Sequence, residues 1–433
     1  MTMADAAATH RAIDALWRLE SPRIVAAVAR LTRDVPLAEE LAQDALVAAL
    51  EHWPAEGVPA NPAAWLTATA KNRALDRLRQ LQMADRKHQE IGADLEARQA
   101  HRVPDALAEL VLREEQGGIA DDLLRLVFTA CHPVLSRDAQ VALTLKLLGG
   151  LTTPEIARAF LVPEPTIAQR IVRAKRSLTA ARVPFEVPTG DQLAPRLAAV
   201  LEVIYLIFNE GYVATTGADW TRPALCDEAL RLAHMLGELA PALSEAAGLA
   251  ALLEIQASRL AARVDAHGRP VLLLDQDRTC WDRQLIGRGL AALARAEALA
   301  QQQGTPLGPY ALQASIAACH ARAERAEDTD WARICALYDA LQAVQPSPVV
   351  ALNRAVAVGM AYGPAAALPL VEALADDPQL ASYHLLPSVQ ADLLARLDRP
   401  AEARAQLERA LALATNGRER ELLQQRLHAL PDR

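Results

Sequence analysis

Apolar residues return every three or four positions along nearly the whole chain, and this spacing limits the fold more than any other feature of the sequence. In one clear case Ile167, Ile171, Ala174 and Leu178 are four, three and four residues apart. Such spacing places apolar side chains on one face of an α-helix. Because helix-forming residues also dominate and no run alternates as a strand would, the sequence predicts an all-α fold.

Composition limits the class of protein further. The chain has 433 residues, 52% of them hydrophobic, which is enough for roughly two to four domains with apolar cores. Charged residues interrupt the apolar runs and the first residues lack the apolar core of a secretion signal, so we expect a cytoplasmic protein. Five scattered cysteines without a C-x-x-C pair predict mostly buried, reduced thiols rather than disulfides or a zinc site.

Proline and glycine clusters divide the chain into blocks. We predict helical blocks at 10–82 and 117–183, a polar linker at 83–116 between them, and an acidic remainder from about 190. Up to residue 190 there are 23 Lys and Arg against 24 Asp and Glu, and beyond it 22 against 29. Most of the formal net charge of -8 therefore belongs to the C-terminal part.

The end of the chain contains an internal repeat. Four residues recur at a spacing of 36, namely Pro364, Ala365, Ala367 and Glu372 as Pro400, Ala401, Ala403 and Glu408. This period is typical of stacked helical hairpins, so we predict tetratricopeptide-like (TPR-like) repeats over 286–430 after a helical domain at 190–285. Coincidence in an alanine-rich sequence is the alternative.

The sharpest local motif is the segment 151–178, which has the pattern of a helix-turn-helix. Thr152 and Glu155 form a predicted capping box, and Pro154 is tolerated in the first helical turn. The second helix turns its apolar stripe inward. Its opposite face is polar and basic, with Thr166, Gln169, Arg170, Arg173 and Arg176, and with Lys175 at the edge.

That basic face predicts binding to duplex DNA. Between residues 158 and 182 there are six positive side chains against Glu164 alone. Arg and Gln form bidentate hydrogen bonds to base edges in the major groove, and flanking cations contact phosphates. A merely solvated cationic helix face is the alternative.

Two further amphipathic helices precede this motif. The first has Leu41, Ala45 and Ala49 on its predicted inner face and acidic residues outside. The second, at 65–79, carries four cationic side chains against Asp76, over a predicted inner stripe of Leu66, Ala70, Ala74 and Leu78. A stiff loop at 54–62 lies between them and could present groups to an unstacked base. Alone, these helices are unspecific.

Other motifs give no support for catalysis. Cys131 and His132 have no second ligand pair at metal spacing, and no phosphate-binding loop is present, so we expect no metal, no cofactor and no enzyme activity. The aromatic-rich segment YLIFNEGYVATTGADW, at 205–220, includes Asn209 and Glu210 without a nearby nucleophile or base. The segment could form a pocket or a structural corner, and we expect it to serve in domain packing.

The order of these motifs closely resembles the group IV, extracytoplasmic-function (ECF) RNA polymerase sigma factors over residues 10–183. The phrases that carry the resemblance are AEELAQDALVAAL, AWLTATAKNRALDRLR and TIAQRIVRAKRSL. FTACHPVLS, YLIFNEGY and the long helical extension are similar to the ECF42-type subgroup. Most members of the wider group end soon after the helix-turn-helix, so the extension is a departure, and we expect it to regulate activity and to offer a surface for a signalling partner.

The resemblance implies a role for each surface. The acidic helix would dock on the β′ clamp helices of core RNA polymerase through Glu39, Glu40, Gln43 and Asp44. The polymerase β flap is a second expected contact. The basic helix would recognise and melt the promoter -10 element through Trp65, Lys71, Asn72, Arg73, Asp76 and Arg79. The helix-turn-helix would bind the -35 element through Thr166, Gln169, Arg170, Arg173, Lys175 and Arg176. Pro165 departs from the usual pattern and leaves the individual base contacts open.

Two other functions are compatible with parts of the sequence. An operator-binding regulator with a repeat domain as sensor would explain the helix-turn-helix but not the basic helix at 65–79. A scaffold acting through its helical repeats would leave both basic faces unexplained.

Overall fold

The computed structural model describes residues 3–92, 119–160, 162–213, 221–266, 269–414 and 416–431. Within those residues the chain is helical, with α-helices, short 3-10 helices and one isolated β-bridge between Val264 and Pro270 but no strand, which confirms the all-α prediction. The chain divides into two compact units, Met1–Val203 and Ile204–Arg433.

The N-terminal unit consists of two groups of helices and the start of a further helix. They are α1 (Met3–Thr32), α2 (Val35–Glu56), α3 (Pro62–Gly92), α4 (Ile119–Ala130), α5 (Arg137–Leu147), α6 (Thr153–Phe160), α7 (Glu164–Ala180) and the first part of α8 (Leu193–Tyr212). Helices α1, α2 and α3 pack on one another, and α5 packs on α7. Helix α3 continues through 83–92 of the predicted linker, whose remaining residues lie outside the described residues.

Local signals explain the boundaries of α2. The Asp34 carboxylate accepts a hydrogen bond from the Leu37 amide at 3.0 Å and caps the helix. Gly57, at φ 92°, ends it with an N–H donated to the Trp53 carbonyl. The predicted loop at 54–62 is therefore too long, because Pro54 still lies in the last turn of α2 and Pro62 begins α3. Only residues 57–61 form the loop.

The C-terminal unit begins within α8 and continues as a succession of helices. They are α9 (Pro223–Leu239), α10 (Ser244–Ala257), α11 (Arg283–Gln303), α12 (Pro309–Arg322), α13 (Trp331–Val344), α14 (Pro348–Ala361), α15 (Pro364–Glu372), α16 (Leu385–Arg396), α17 (Pro400–Leu413) and α18 (Gly417–Ala429). Each of these helices packs on the one that follows it. The two copies of the sequence repeat begin α15 and α17, where Ala367 and Ala403 are both fully buried.

The aromatic-rich segment at 205–220 contributes to the core of this unit as far as it is described, since residues 214–220 lie outside the described part of the chain. Phe208 is buried. A side chain at Gly211 would place its Cβ only 2.8 Å from the Cys226 backbone nitrogen, so α8 and α9 approach closely there. The Glu210 carboxylate pairs with Arg222 at the start of α9. These contacts are those of a packing element.

Two further expectations concern thiols and membranes. Four of the five cysteines are buried and Cys280 is exposed, which confirms the prediction of mostly buried thiols. None of the helices in the described part of the chain combines the length and the apolar content that a membrane span requires.

Candidate nucleic-acid interface

The helix-turn-helix forms where the sequence predicts it, as α6 and α7. The capping box at its start is complete: the Thr152 amide donates to Glu155 Oε2 at 2.8 Å, and the Glu155 amide donates to Thr152 Oγ1 at 3.3 Å. Two backbone donors that the helix itself leaves unpaired are thereby satisfied. The prediction of the capping box is confirmed, and Pro165 lies in the first turn of α7.

Helix α7 has one apolar face and one polar face. Its buried residues are Ile167, Ile171, Ala174 and Leu178, the predicted inner stripe. Four of the six predicted -35 residues have exposed side chains, namely Thr166, Gln169, Arg173 and Arg176. This exposed face presents two guanidinium groups, an amide and a hydroxyl, which are the groups that bind phosphates and base edges.

The other two predicted -35 residues, Arg170 and Lys175, form ion pairs within the N-terminal unit. Arg170 Nη2 lies 3.1 Å from Asp138 Oδ2 of α5. Lys175 Nζ pairs with Glu39 Oε2 of α2, and its side chain is 25% exposed. The sequence did not indicate either partner, because the pairs connect residues far apart in the chain.

The acidic helix α2 turns three of its four predicted polymerase-binding residues outward. Glu40 and Gln43 are exposed, and Asp44 is half-buried. Glu39 differs: it is 4% exposed, accepts a hydrogen bond from Gln43 Nε2 at 3.0 Å and pairs with Lys175. Its position on the inner side of α2 brings a predicted polymerase contact and a predicted DNA contact together. Leu41, Ala45 and Ala49 are buried, as predicted.

The basic helix α3 presents a mixed surface. Leu66, Ala70 and Ala74 are buried, which confirms three positions of the inner stripe, and Leu78 is half-buried. Outside, Asn72, Asp76 and Arg79 are exposed, and Trp65, Lys71 and Arg73 are half-buried.

Contacts of these side chains preorganise the surface of α3. The Trp65 ring packs edge-on against Trp53 of α2, with ring centroids 5.4 Å apart. Arg73 Nη1 lies 3.3 Å from Asp44 Oδ2, and Arg79 Nη1 lies 3.0 Å from Asp76 Oδ1. The α2–α3 surface is therefore held by an aromatic pair and a partly exposed ion pair next to a short loop.

A charge cluster that sequence analysis missed joins α1 to α4. Asp122 is buried and lies 3.5 Å from Arg30 Nη1 and 2.5 Å from Arg125 Nη1. Burial raises the pKa of the Asp122 carboxyl, although both arginines favour its ionised form. No sequence motif marks this cluster, since Arg30 and Asp122 belong to different predicted domains.

The Cys131–His132 pair has a structural environment. The Cys131 thiol is buried, lies 3.5 Å from Thr144 Oγ1, and burial raises its pKa to about 11. Such a thiol stays protonated at neutral pH and is a poor metal ligand. Among the described residues no group of three potential ligands is placed to hold a metal ion.

Three family models match the chain. Sigma-70 region 2 matches residues 16–83, which contain α2, most of α3 and the second half of α1. Sigma-70, region 4, matches residues 125–178, which contain the helix-turn-helix. A family of unknown function (DUF6596) matches residues 196–297. The two sigma regions are those of non-catalytic initiation factors, which act with core RNA polymerase on promoter DNA.

The similarity to a relative extends over nearly the whole chain. An uncharacterized protein of Rhizobium meliloti (strain 1021) is 45% identical over 410 residues, which cover 94% of this chain and 93% of the relative. No solved structure matches the chain significantly. The chain therefore belongs to the same family as this relative, and its two sigma-70 regions make it an ECF-like sigma factor that directs promoter-specific initiation of transcription.

Proposed function

We propose that the chain is an ECF42-type, group IV sigma factor in which 10–82 acts as region 2 and 117–183 as region 4, joined by the linker at 83–116. The observation that carries this proposal is the exposed polar and basic face of α7, held on a helix-turn-helix by a complete capping box. An acidic protein with a formal net charge of -8 has little general affinity for DNA, so a local cationic face is needed.

Helix α7 enters the major groove of the -35 element in this proposal. Gln169, Arg173 and Arg176 are the proposed base or phosphate contacts, together with Thr166 near the start of the helix. Arg170 and Lys175 join them when their ion pairs with Asp138 and Glu39 open, because a cation neutralised by a carboxylate has less attraction for a phosphate.

Helix α3 and the loop at 57–61 act on the -10 element. Melting requires a trap for an extruded base, since unstacking costs a few kcal/mol that binding must offset. Trp65, next to Trp53, offers an aromatic surface, and Lys71, Asn72, Arg73, Asp76 and Arg79 line the helix beside the separated strand. Base stacking on aromatic rings and cationic contacts to the strand together favour the open duplex.

Helix α2 docks on the β′ clamp helices of core polymerase, and region 4 contacts the β flap. Glu40, Gln43 and Asp44 are accessible for this contact. Glu39 becomes accessible only when Lys175 is released. Polymerase binding and DNA binding therefore both favour separation of α2 from α7. These partners also imply that the protein works in the cytoplasm.

The C-terminal extension regulates this activity. Its helices pack in succession, with the repeat residues Ala367 and Ala403 at equivalent buried positions, which supports TPR-like hairpins over 286–430. Such a stack leaves an extended face for a signalling partner.

The proposal is tested by changing one exposed arginine of α7. Arg173→Ala is expected to lower transcription from the cognate promoter at least tenfold and to leave the affinity for core polymerase unchanged, because its side chain lies on the DNA face alone. Arg409→Ala, an exposed arginine of α17, removes the same charge elsewhere and serves as the control. In vitro transcription and co-elution with core polymerase are the measurements. Equal effects of the two substitutions would contradict the assigned role of α7.

A further inference from the structure

The C-terminal unit contains a cavity of about 460 Å³ that the sigma activity does not use. Its walls come from α8, α10, α12, α13 and α14 and from the segment between α10 and α11. This volume lies within the range of small-molecule binding sites, which is roughly 300–1,000 Å³. The cavity extends from the region of unknown function into the predicted repeats.

A buried arginine, Arg259, lines this cavity, and none of the described carboxylates is its counterion. Arg259 is 8% exposed, its Nη2 donates to Gln256 Oε1, and its Nε has no hydrogen-bond partner within the described part of the chain. The guanidinium carbon lies 5.7 Å from the centre of the Trp281 ring and 5.9 Å from that of Tyr212. Among the described residues no carboxylate pairs with Arg259, and no acidic side chain lines the cavity.

A second cation, Arg278, and a neutral histidine lie close to Arg259. Arg278 donates from Nη1 to the carbonyl oxygens of His320 and Ala323, at 2.7 and 2.8 Å. His320 lines the cavity and is 8% exposed, and none of the residues that the structure describes forms a hydrogen bond with its Nδ1. Its ring packs edge-on against Trp331, which fixes its orientation. Burial and the charges of the two arginines lower the pKa of His320 to about 4, so the ring is neutral at physiological pH.

These groups form a site whose charge and hydrogen-bonding capacity suit an anion. A buried charge without a partner is unfavourable, and proteins normally compensate it with an opposite charge. The Arg259 guanidinium and the His320 nitrogen are two polar groups with unused hydrogen-bonding capacity at one cavity. A planar carboxylate matches the geometry of a guanidinium.

The remaining walls indicate what the anion is attached to. Leu252, Leu273 and Ile316 provide apolar surface. Amide side chains add hydrogen-bonding groups, and one of them, Gln313, accepts a hydrogen bond from the Tyr205 hydroxyl at 3.2 Å. A ligand with a charged head and a partly apolar body fits such a lining.

We propose that the C-terminal unit binds a small organic carboxylate in this cavity, with the carboxylate at Arg259 and the apolar body between α10 and α12. The site gives the regulatory extension a ligand of defined chemistry. Binding is measured without polymerase or DNA, so its outcome is independent of the promoter assignments.

The test uses the full-length protein and matched probes. Benzoate, 2-naphthoate and octanoate are compared with their neutral amides and with phenyl phosphate, by thermal unfolding and isothermal titration calorimetry. At least one carboxylate is expected to bind with one-to-one stoichiometry and at least tenfold more tightly than its amide. Preference for phenyl phosphate over every carboxylate would overturn the assignment to a carboxylate, and equal affinity for acids and amides would overturn an anion site.

Variants locate the binding to the cavity. Arg259→Gln is expected to weaken carboxylate binding at least tenfold, and Arg259→Lys, which keeps the charge, to weaken it less. Arg325→Gln, which changes an exposed arginine paired with Asp328 outside the cavity, is the matched control and should bind as the unmodified protein does. Ala317→Leu narrows the cavity without changing its charge and should also reduce binding. Circular dichroism verifies that each variant is folded, and unchanged binding by folded Arg259→Gln would overturn the proposal.

Discussion

At the scale of single residues, the burial of His320 beside two arginines makes the free energy of unfolding depend on pH. The pKa of His320 is about 4 in the folded protein, against 6.5 for a free histidine. Between these values the unfolded chain binds the proton and the folded chain does not. The contribution of His320 to the free energy of unfolding is therefore complete above pH 6.5 and is lost as the pH falls toward 4. From pH 7 to pH 5 the free energy of unfolding is expected to fall by about 2 kcal/mol through this residue.

Urea unfolding at several pH values checks this prediction. His320→Gln should remove most of the decrease between pH 7 and pH 5, whereas His428→Gln, at an exposed position, should retain it. The same decrease in the His320 variant as in the unmodified protein would show that another group is responsible.

Residue-scale features of the candidate site were predictable where they depend on neighbours in sequence. The Thr152–Glu155 capping box and the inner stripe of α7 follow from spacing alone, because both are made within one helix. The ion pair of buried Glu39 with Lys175 was not predictable, because the two residues are far apart in the chain. The ion pair between Arg30 and Asp122 was not predictable for the same reason, although Arg125 is only three residues from Asp122.

At the scale of elements, α2 and α7 are linked by the Glu39–Lys175 ion pair. Removing one partner of a largely buried pair leaves an uncompensated charge, and because Lys175 is partly exposed we expect a cost of about 2 kcal/mol for Lys175→Met. Adding Glu39→Gln removes the stranded charge and should recover most of this loss. Hydrogen exchange followed by mass spectrometry in peptides of α2 reports the opening of this contact.

A neighbouring position supplies the control for this experiment. Arg176→Met changes an exposed cation on the same helix and should leave exchange in α2 unchanged. Identical exchange in the Lys175 and Arg176 variants would mean that the pair does not hold the two helices together.

The lengths of the helices were predicted less well than their existence. Helix α3 continues to Gly92, and helix α2 continues past Pro54.

At the scale of the whole molecule, the spacing of apolar residues and the order of the motifs predict an all-α chain with DNA-binding domains before an acidic extension. The cavity at Arg259 and His320 was not predicted, since its walls come from helices spread over residues 205–353 and only the folded chain brings them together. The aromatic segment that begins at Tyr205 contributes one residue to the cavity wall, but its sequence did not indicate a ligand. Features formed within one stretch of sequence were therefore predictable, and features formed by residues that only the fold brings together were not.

We propose that the chain directs core polymerase to promoters through two DNA-binding surfaces, on α3 and α7. Genomic run-off transcription tests it most directly: core polymerase and the full-length protein act on fragmented host DNA, and the 5′ ends are compared with those from core polymerase alone. For a sigma factor we expect new, sharply defined start sites that share two spaced upstream motifs. No new start sites, together with no binding to core polymerase, would contradict it.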